Sequence, residues 1–222
     1  GPVSNSHDMI TRDLAPEEGR GDRGQPCNVA ALVLAAGRSA RMGGPNKLLQ
    51  PVAGVAMVAR VVAAALASRC RDVTVVVGHE AQRVREALAH RPVRFANNPD
   101  HAEGIASSLR AGLRSLPARC DAALVLLADM PGIRAGHIDR LIEAFERNPG
   151  IVVPVRAGRR GNPVLWPRDL FAQMMALHGD TGARGLIEVH RDQVHSVEMD
   201  TDAIFVDVDT PEALAPLAPD ER

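Results

Sequence analysis

Residues 29–49 read VAALVLAAGRSARMGGPNKLL and pass from an apolar run directly into a glycine-rich, basic segment. The apolar part, Val29–Ala35, is uninterrupted by polar side chains, which is typical of a strand buried on both faces of a parallel sheet. The glycines and cations that follow stand where such a strand ends. This arrangement predicts a first β-strand that delivers a ligand-binding loop at its carboxyl end.

Four further apolar runs alternate with helical patterns up to about residue 150. The predicted strands are Val73–Val77, Val93–Ala96, Ala123–Ala128 and Ile151–Val155. The predicted helices are Val55–Ser68, Glu80–His90, Ile105–Leu116 and Gly136–Asn148. Such alternation builds right-handed βαβ units, so we expect an α/β fold: a Rossmann-like three-layer sandwich with a mostly parallel central sheet.

The second half of the chain has a mixed pattern that we interpret as an extension of the same domain. The predicted strands are Pro163–Trp166, Val194–Glu198 and Ile204–Val208, and the predicted helices are Arg168–Leu177, Thr181–Arg191 and one that starts at Pro211. Residues 27–222 are therefore expected to form a single domain. Residues 1–26 mix glycine, proline and both charge signs with little apolar periodicity, so we expect a disordered tail, its opening residues being a candidate cloning remnant.

Composition excludes several classes of protein. The 222 residues carry 26 Lys and Arg against 27 Asp and Glu, a formal net charge of −1, and only 2% are aromatic, which disfavours nucleic acid as a partner. Three cysteines, Cys27, Cys70 and Cys120, lie far apart and outside any C-x-x-C, so neither a disulfide framework nor a thiolate zinc site is indicated. No apolar run reaches membrane-spanning length, and the amino-terminal residues lack a signal-peptide core, so we expect no membrane contact and a cytoplasmic location.

The loop after the first strand has the composition of a triphosphate site. Small residues let backbone N–H groups approach phosphate closely, and Arg38, Arg41 and Lys47 supply positive charge. The spacing fits neither a Rossmann G-x-G-x-x-G nor a Walker G-x-x-x-x-G-K-[ST] motif, so a nicotinamide oxidoreductase is disfavoured. An ordinary glycine-rich turn with a solvated basic face remains the alternative.

The string L-A-A-G-x-S-x-R-M-G-x-x-N-K, residues 34–47, resembles the opening motif of the nucleotidyltransferases that build the molybdenum cofactor. Within that family the chain looks most like the cytidylyltransferases, because the guanylyl relatives typically have L-A-G-G and G-x-D-K where this chain has Ala36 and Asn46. The resemblance implies catalytic roles for Lys47 and Arg41. It implies nucleotide contacts that begin in this loop, at Leu34, Ala35, Ala36, Gly37, Arg38, Ser39 and Lys47.

Two carboxylates are the candidate metal ligands. Asp129 follows the apolar strand in L-A-D-M-P, and a carboxylate there can bind Mg²⁺, although a turn-capping role is the alternative. In FVDVDTPEAL, alternation puts Asp207 and Asp209 on one side of a predicted strand. Asp209 is equally suited to capping the helix that follows. The resemblance implies Asp129 as a catalytic and metal-binding residue and Asp207 as the second Mg²⁺ ligand.

Other segments are similar to the family's base, ribose and pterin segments. For the nucleotide these are Asn97, Gly104 and Ser108, with a Ser-capped helix as the alternative for Ser108. Gly78 is a further candidate, because it lies at a predicted strand-to-helix corner where a nucleobase could rest against the backbone. For the acceptor they are Asn162 and Pro163 in G-N-P-V-L-W, where the family more often has His in place of Asn162. Arg184 in G-D-T-G-A-R is a further candidate for the substrate phosphate, or else a solvated helix charge.

The resemblance implies transfer of CMP from CTP to the terminal phosphate of molybdopterin, with release of pyrophosphate and with a recipient molybdenum enzyme as a further partner. An ionised phosphate is its own nucleophile, so the residues present suit positioning and charge neutralisation. Three alternatives remain. They are guanylyl transfer to molybdopterin, nucleotidyl transfer to another phosphorylated acceptor such as a sugar or polyol phosphate, and a non-catalytic protein that carries or inserts the cofactor.

Overall fold

The computed structural model describes residues 27–37 and 46–208. Its strands are β1 Val29–Ala35, β2 Pro51–Val52, β3 Val55–Ala56, β4 Asp72–Val77, β5 Arg94–Asn97, β6 Ala122–Leu127, β7 Ile151–Arg156, β8 Arg159–Arg160, β9 Val164–Pro167 and β10 Val194–Glu198. Its helices are α1 Met57–Ala67, α2 Ala81–Ala87, α3 Ile105–Arg114, α4 Ala135–Arg147, α5 Phe171–Met175 and α6 Arg184–Val189. Short 3₁₀ turns occur between them, including Lys47–Leu49 and Asp202–Ile204.

The central sheet has the strand order β10-β7-β9-β6-β1-β4-β5, and β8 pairs with the carboxyl end of β7. β1 pairs in parallel with both β4 and β6, and β4 with β5. β9 runs antiparallel to β6 and to β7, while β10 is parallel to β7. The predicted α/β class with a mostly parallel central sheet is confirmed, and the carboxyl ends of β1, β4, β5, β6 and β7 meet along one edge.

Helices cover both faces of this sheet because alternate residues of each strand are apolar on opposite sides. Val33 of β1 belongs to the larger core, which also takes in buried side chains of α1, α2 and α4. Its neighbour Leu32 belongs to the second core, with side chains of α3, α5 and α6. The predicted three-layer arrangement follows directly from this alternation.

The structure corrects several predicted boundaries. The helix predicted from Val55 begins at Met57, because Val55–Ala56 pair with Pro51–Val52 in a hairpin. The helix predicted over Arg168–Leu177 is a 3₁₀ turn followed by α5, and the one predicted over Thr181–Arg191 shortens to α6.

The prediction of a strand over Ile204–Val208 is wrong. The backbone turns at Asp202–Ile204, and the N–H of Phe205 bonds within that turn, to the Asp202 carbonyl at 2.9 Å. No strand of the sheet takes up the residues that follow, within the part of the chain that is described. The helix predicted from Pro211, like Asp209, lies outside the described residues.

None of the helices in the described ranges is both long and apolar enough to cross a membrane.

Candidate active site

An ion pair between Lys47 and Asp129 lies at the carboxyl edge of the sheet. Lys47 Nζ is 3.1 Å from Asp129 Oδ2, and the two side chains are only 14% and 22% exposed. Asp129 lies two residues beyond β6, and the Ala128 N–H bonds to the Leu34 carbonyl of β1 at 3.2 Å, which holds this end of β6 against β1. The structure therefore brings together the lysine and the carboxylate that the sequence placed 82 positions apart.

Lys47 is fixed by the turn in which it lies. Asn46, which is buried, caps the turn, and its Oδ1 accepts a hydrogen bond from the Leu48 N–H at 3.0 Å. Leu48 is buried in the larger core and anchors the same turn. Asn46 thus has a local task, which is to shape the turn that carries the lysine.

Asp207 belongs to a different segment of the chain, and that segment is attached beside Asp129. The N–H of Val208 donates to the backbone carbonyl of Asp129 at 2.9 Å, and Val208 is fully buried. The segment that carries Asp207 is thereby attached to the end of β6, and the negative charge of Asp207 acts on Asp129. The predicted strand is absent, but the expected neighbourhood of the two carboxylates is present.

The pKa of the Asp129 carboxyl reflects competing influences. Burial raises the pKa above its ordinary value, the positive charge and hydrogen bond of Lys47 lower it, and the negative charge of Asp207 raises it again. The net shift is upward, because removing the carboxylate from water outweighs its pairing with Lys47. A second positive charge placed here would therefore stabilise the ionised form.

The two carboxylates fit a hard divalent cation. Oxygen donors are what Mg²⁺ prefers, and the ion usually takes one or two protein carboxylates and fills its other positions with water and substrate phosphate. In the described ranges no group of three or more His, Cys, Asp or Glu side chains is arranged to hold a metal by itself. Asp129 and Asp207 thus suit a cation that arrives with a nucleotide rather than a closed structural site.

The carboxyl ends of β1 and β4 pack closely around Gly78. The N–H of His79 bonds to the Ala36 carbonyl at 3.0 Å, and a Cβ on Gly78 would lie 2.7 Å from the His101 Cβ and 2.9 Å from the Asn98 carbonyl oxygen. Only glycine fits such a contact. Whether a base rests against this backbone, as expected from the strand-to-helix corner, stays a prediction.

The predicted ribose segment is organised by an asparagine that sequence reasoning missed. Asn98 is buried, and its Nδ2 donates to the hydroxyls of Ser107 at 2.9 Å and Ser108 at 3.1 Å. Its Oδ1 accepts from the Asp100 N–H at 3.0 Å. The Asn-Pro-Asp spelling of residues 98–100 is a turn signal that could have revealed this role. The nucleotide contacts expected of Ser108 and of the neighbouring, exposed Asn97 stay predictions.

Gly104 connects this segment to the loop before α6. Its φ is +106°, and a Cβ there would lie 2.4 Å from Asp180 Oδ1 and 2.6 Å from the Gly179 carbonyl oxygen. The Ala106 N–H also bonds to the Gly179 carbonyl at 3.1 Å. Gly104 is thus needed for a close approach between two loops, and its role beside a nucleotide remains a prediction.

The loop that was predicted to hold the triphosphate is described only at its two ends. Leu34 is half-buried, Ala35 and Ala36 are buried, and Gly37 is exposed. Arg38, Ser39 and Arg41 lie outside the described residues. Among the basic side chains of this loop, the structure describes that of Lys47, which pairs with Asp129.

The predicted acceptor residues divide between two places. The antiparallel pairing of Val164 with Val125 puts Asn162 and Pro163 beside the carboxyl end of β6, and the Asn162 N–H bonds to the Ile204 carbonyl at 2.9 Å. Arg184 is exposed at the first position of α6, whose Ile187 packs into the second core. The structure brings Asn162 and Pro163 to the edge that carries Asp129, whereas Arg184 lies exposed at the start of α6.

A mostly parallel sheet that brings a lysine and two carboxylates to its carboxyl edge is suited to nucleotidyl transfer. Residues 31–196 match the model of the MobA-like NTP transferase domain, and the chain belongs to that family. Family membership supports nucleotidyltransferase activity for this chain.

Individual relatives differ in their described activities. The chain is 30% identical to nicotine blue oxidoreductase of Paenarthrobacter nicotinovorans over 203 residues, which cover 87% of this chain and 98% of that protein. It is 25% identical to the molybdenum cofactor cytidylyltransferase of Escherichia coli, over 83% of this chain and 92% of the relative. The structure of Rv0371c from Mycobacterium tuberculosis in complex with manganese superposes with a TM-score of 0.74 at 26% identity, covering 86% of this chain and 97% of that one.

Proposed function

We propose that the protein transfers CMP from CTP to the terminal phosphate of molybdopterin and releases pyrophosphate. The observation that carries the proposal is the pairing of Lys47 with Asp129 at 3.1 Å, with Asp207 held nearby by the Val208 hydrogen bond. A lysine and two carboxylates at the strand edge supply what phosphoryl chemistry needs, which is positioning and charge neutralisation.

The chain's own residues perform three tasks in this proposal. Asp129 and Asp207 would hold a divalent cation, with Mg²⁺ as the proposed ion, which when bound supplies positive charge against the α-phosphate of CTP. Lys47 stabilises the negative charge that grows on the departing pyrophosphate, and Arg38 and Arg41 are proposed to assist it. The acceptor phosphate is ionised at neutral pH and attacks the α-phosphorus without a general base.

Two findings on relatives support the choices of acceptor and metal. The E. coli relative is a molybdenum cofactor cytidylyltransferase and aligns over most of both chains. The mycobacterial relative has been solved with manganese, so a divalent cation is a natural partner for the two carboxylates. Ala36 and Asn46 add the sequence feature that favours CTP over GTP. A molybdenum enzyme that receives the product is the further partner we propose.

The test is a product analysis with all four nucleoside triphosphates. The protein is incubated with Mg²⁺, molybdopterin and ATP, CTP, GTP or UTP, and the product is identified by mass. The proposal predicts a CMP-pterin adduct formed with CTP at least about tenfold faster than any adduct formed with GTP, which corresponds to about 1.4 kcal/mol of discrimination. A GMP adduct, or an adduct only with a different phosphorylated acceptor, would reassign the substrate within the same class of enzyme.

A second candidate is suggested by the nicotine blue oxidoreductase relative, which aligns over 98% of its length. An oxidoreductase transfers electrons and releases no pyrophosphate. Following the absorbance of nicotine blue, with a chemical reductant supplied, beside the pyrophosphate assay separates the two functions in one experiment.

A further inference from the structure

Two histidine rings lie together at the carboxyl end of β4. The centres of the His79 and His101 imidazoles are 6.0 Å apart, and the ring planes are inclined by 55°, which is within the range of interacting aromatic pairs. His79 follows Gly78 at the end of β4, and His101 begins the 3₁₀ turn that leads to Gly104. Neither histidine was among the site residues expected from the sequence.

The packing around Gly78 holds His101 at this corner. The space that a Cβ would take at Gly78 is occupied by the His101 Cβ at 2.7 Å, the Asn98 carbonyl oxygen at 2.9 Å and the Ala36 Cβ at 3.0 Å. His101 thus covers Gly78 on that side and is itself half-buried. A ligand that approaches this side of the corner meets a histidine side chain before it meets the glycine.

His79 is held by its backbone and by its ring. Its N–H donates to the Ala36 carbonyl at 3.0 Å, which fixes it beside the start of the loop that follows β1. Its Nε2 lies 3.1 Å from Glu80 Oε1, and the other carboxylate oxygen of Glu80 pairs with Arg83 at 2.5 Å. The His79 side chain is still 29% exposed, so the ring is both oriented and accessible.

The residue that orients His79 has an unusual backbone conformation. Glu80 has a φ of +50° and a ψ of +40°, which is the left-handed region that residues with a side chain seldom adopt. Such conformations persist where surrounding contacts hold them, and they are concentrated at ligand-binding and active sites. The strain at Glu80 therefore marks this corner as a candidate ligand contact.

The chemistry of the corner favours a flat, uncharged group. The carboxylate of Glu80 beside His79 repels a phosphate. Among the residues that the structure describes, no group of three or more His, Cys, Asp or Glu side chains is arranged to hold a metal ion. The face of an aromatic ring, in contrast, binds nucleobases by stacking, an interaction that every base can make.

The other aromatic rings of the chain are engaged elsewhere. The chain has no tyrosine, its one tryptophan is buried in the second core, and Phe145 is buried in the larger core. An arginine faces each of the other phenylalanines, with Arg85 on Phe95, Arg168 on Phe171 and Arg159 on Phe205. Histidine is thus the residue type left for stacking, and His79 and His101 pack on each other at the carboxyl edge.

The position of the pair suits the base of a nucleotide whose phosphates lie at the Lys47–Asp129 centre. β1 lies between β6, which leads to that centre, and β4, which leads to His79. Neighbouring strands are about 5 Å apart, so the ends of β6 and β4 are separated by about 10 Å. A nucleotide with its α-phosphate at the centre is long enough to bring its base to the end of β4.

We propose that the base of the nucleotide stacks on the imidazole of His79, and that His101 is the positioning residue that supports this ring. The inference rests on the proposed function, because it assigns a further contact of the same nucleotide site. It adds a source of affinity that does not depend on which base is present. Stacking uses the face of the base and leaves its hydrogen-bonding edge to other residues.

The test is a calorimetric titration of full-length variants with Mg²⁺ and each of ATP, CTP, GTP and UTP, without acceptor. For the nucleotide that the wild type binds most tightly, His79→Ala is expected to weaken binding by about tenfold, whereas His79→Phe, which restores a ring, stays within about threefold of the wild type. His101→Ala is expected to weaken binding several-fold, and alanine keeps the Cβ that packs against Gly78.

The matched control is His195→Ala, which removes a half-buried histidine from β10 at the other end of the sheet. Tripolyphosphate serves as a second ligand, because it has the charge of the triphosphate and no base. Its affinity should be the same in the wild type and in all of these variants.

Three results would overturn the stacking contact. They are a nucleotide affinity in His79→Ala equal to that of His195→Ala, an affinity that His79→Phe does not restore, and an equal loss of nucleotide and tripolyphosphate affinity in His79→Ala. An unchanged nucleotide affinity in His101→Ala would overturn the positioning role of His101.

The two proposals fail in different ways, because the titrations need no acceptor. If no CMP is transferred to molybdopterin while His79→Ala still loses nucleotide affinity, only the proposed reaction is wrong. If CMP is transferred and His79→Ala binds CTP like His195→Ala, only the stacking contact is wrong. A wild type that binds none of the four nucleoside triphosphates would overturn both.

Discussion

The backbone N–H of Val208 donates to the carbonyl of Asp129 at 2.9 Å, and this bond joins the last described segment of the chain to the end of β6. It brings Asp207 close enough for its charge to act on the half-buried Asp129 carboxyl. Because Lys47 pairs with the same carboxyl, three charged groups from distant parts of the sequence form one centre.

Replacing Lys47 with alanine is expected to lower kcat by about 10²-fold, which is the usual effect of removing one charge-stabilising donor. The KM for CTP should change less, since the lysine acts on charge that develops during the reaction. Steady-state kinetics on Lys47→Ala beside the exposed control Arg119→Gln measures both constants. A kcat equal to that of the control would remove Lys47 from the mechanism.

As the pH falls, divalent cation binding is expected to weaken at a higher pH than it would at a site with an ordinary aspartate. Protons compete with the cation for Asp129, and burial raises the pKa of that carboxyl. Mn²⁺ binding, followed by electron paramagnetic resonance from about pH 7 to about pH 4, should therefore decline above the ordinary aspartate pKa of about 3.9. Asp129→Asn should abolish the titration. Binding that holds constant until well below the ordinary pKa would contradict the assignment of Asp129 as a ligand.

The same shift predicts a pH-dependent effect on stability. The raised pKa means that the folded state holds the Asp129 proton more tightly than the unfolded chain does. The protonated carboxyl therefore adds to the free energy of unfolding below the pKa of the unfolded chain, and this addition is lost as the pH rises through the pKa of the folded state. Asp129→Asn removes this ionisation. The melting temperature of the variant minus that of the wild type should thus be more positive near neutral pH than at about pH 4. The comparison variant is Asp169→Asn, at an exposed position of the 3₁₀ turn Arg168–Leu170, and an identical pH trend in both variants would refute the prediction.

Gly104→Ala is expected to destabilise the protein by about 1–3 kcal/mol, because the position has a φ of +106° and an added Cβ would collide with the Gly179 carbonyl. Gly136→Ala in α4 provides the matched control, since a Cβ there meets nothing within 4 Å and alanine favours a helix. Urea unfolding of the two variants measures the difference. Equal stability of Gly104→Ala and wild type would show that the two loops can separate without cost.

The sequence alone was sufficient for the elements whose apolar pattern is continuous. β1 and β6 are apolar throughout, so strand, burial and the carboxyl-end position of Asp129 could all be predicted from them. The segment Ile204–Val208 misled the prediction, because its alternation imitates a strand while its backbone hydrogen bonds go to a local turn and to Asp129. Alternation reports which side chains are buried, but it does not identify the partner of each N–H group.

The two-residue strands were beyond the reach of periodicity. Val55–Ala56 continue the apolar pattern of α1, and only their pairing with Pro51–Val52 separates them from the helix. Arg159–Arg160 are polar and would be assigned to a solvated loop, yet pairing with β7 places Arg159 beside Arg156 and over Phe205. These contacts are products of tertiary structure, which the periodicity of a local sequence does not report.

The most direct test of the central claim is the rate of pyrophosphate release from CTP in the presence of Mg²⁺ and molybdopterin, measured for the wild type and for Asp129→Asn. We expect release that requires both the acceptor and the divalent cation and that falls by at least about 10²-fold in the variant, while circular dichroism shows that the variant keeps its fold. Release that persists in Asp129→Asn, or that proceeds equally well without molybdopterin, would contradict the central claim.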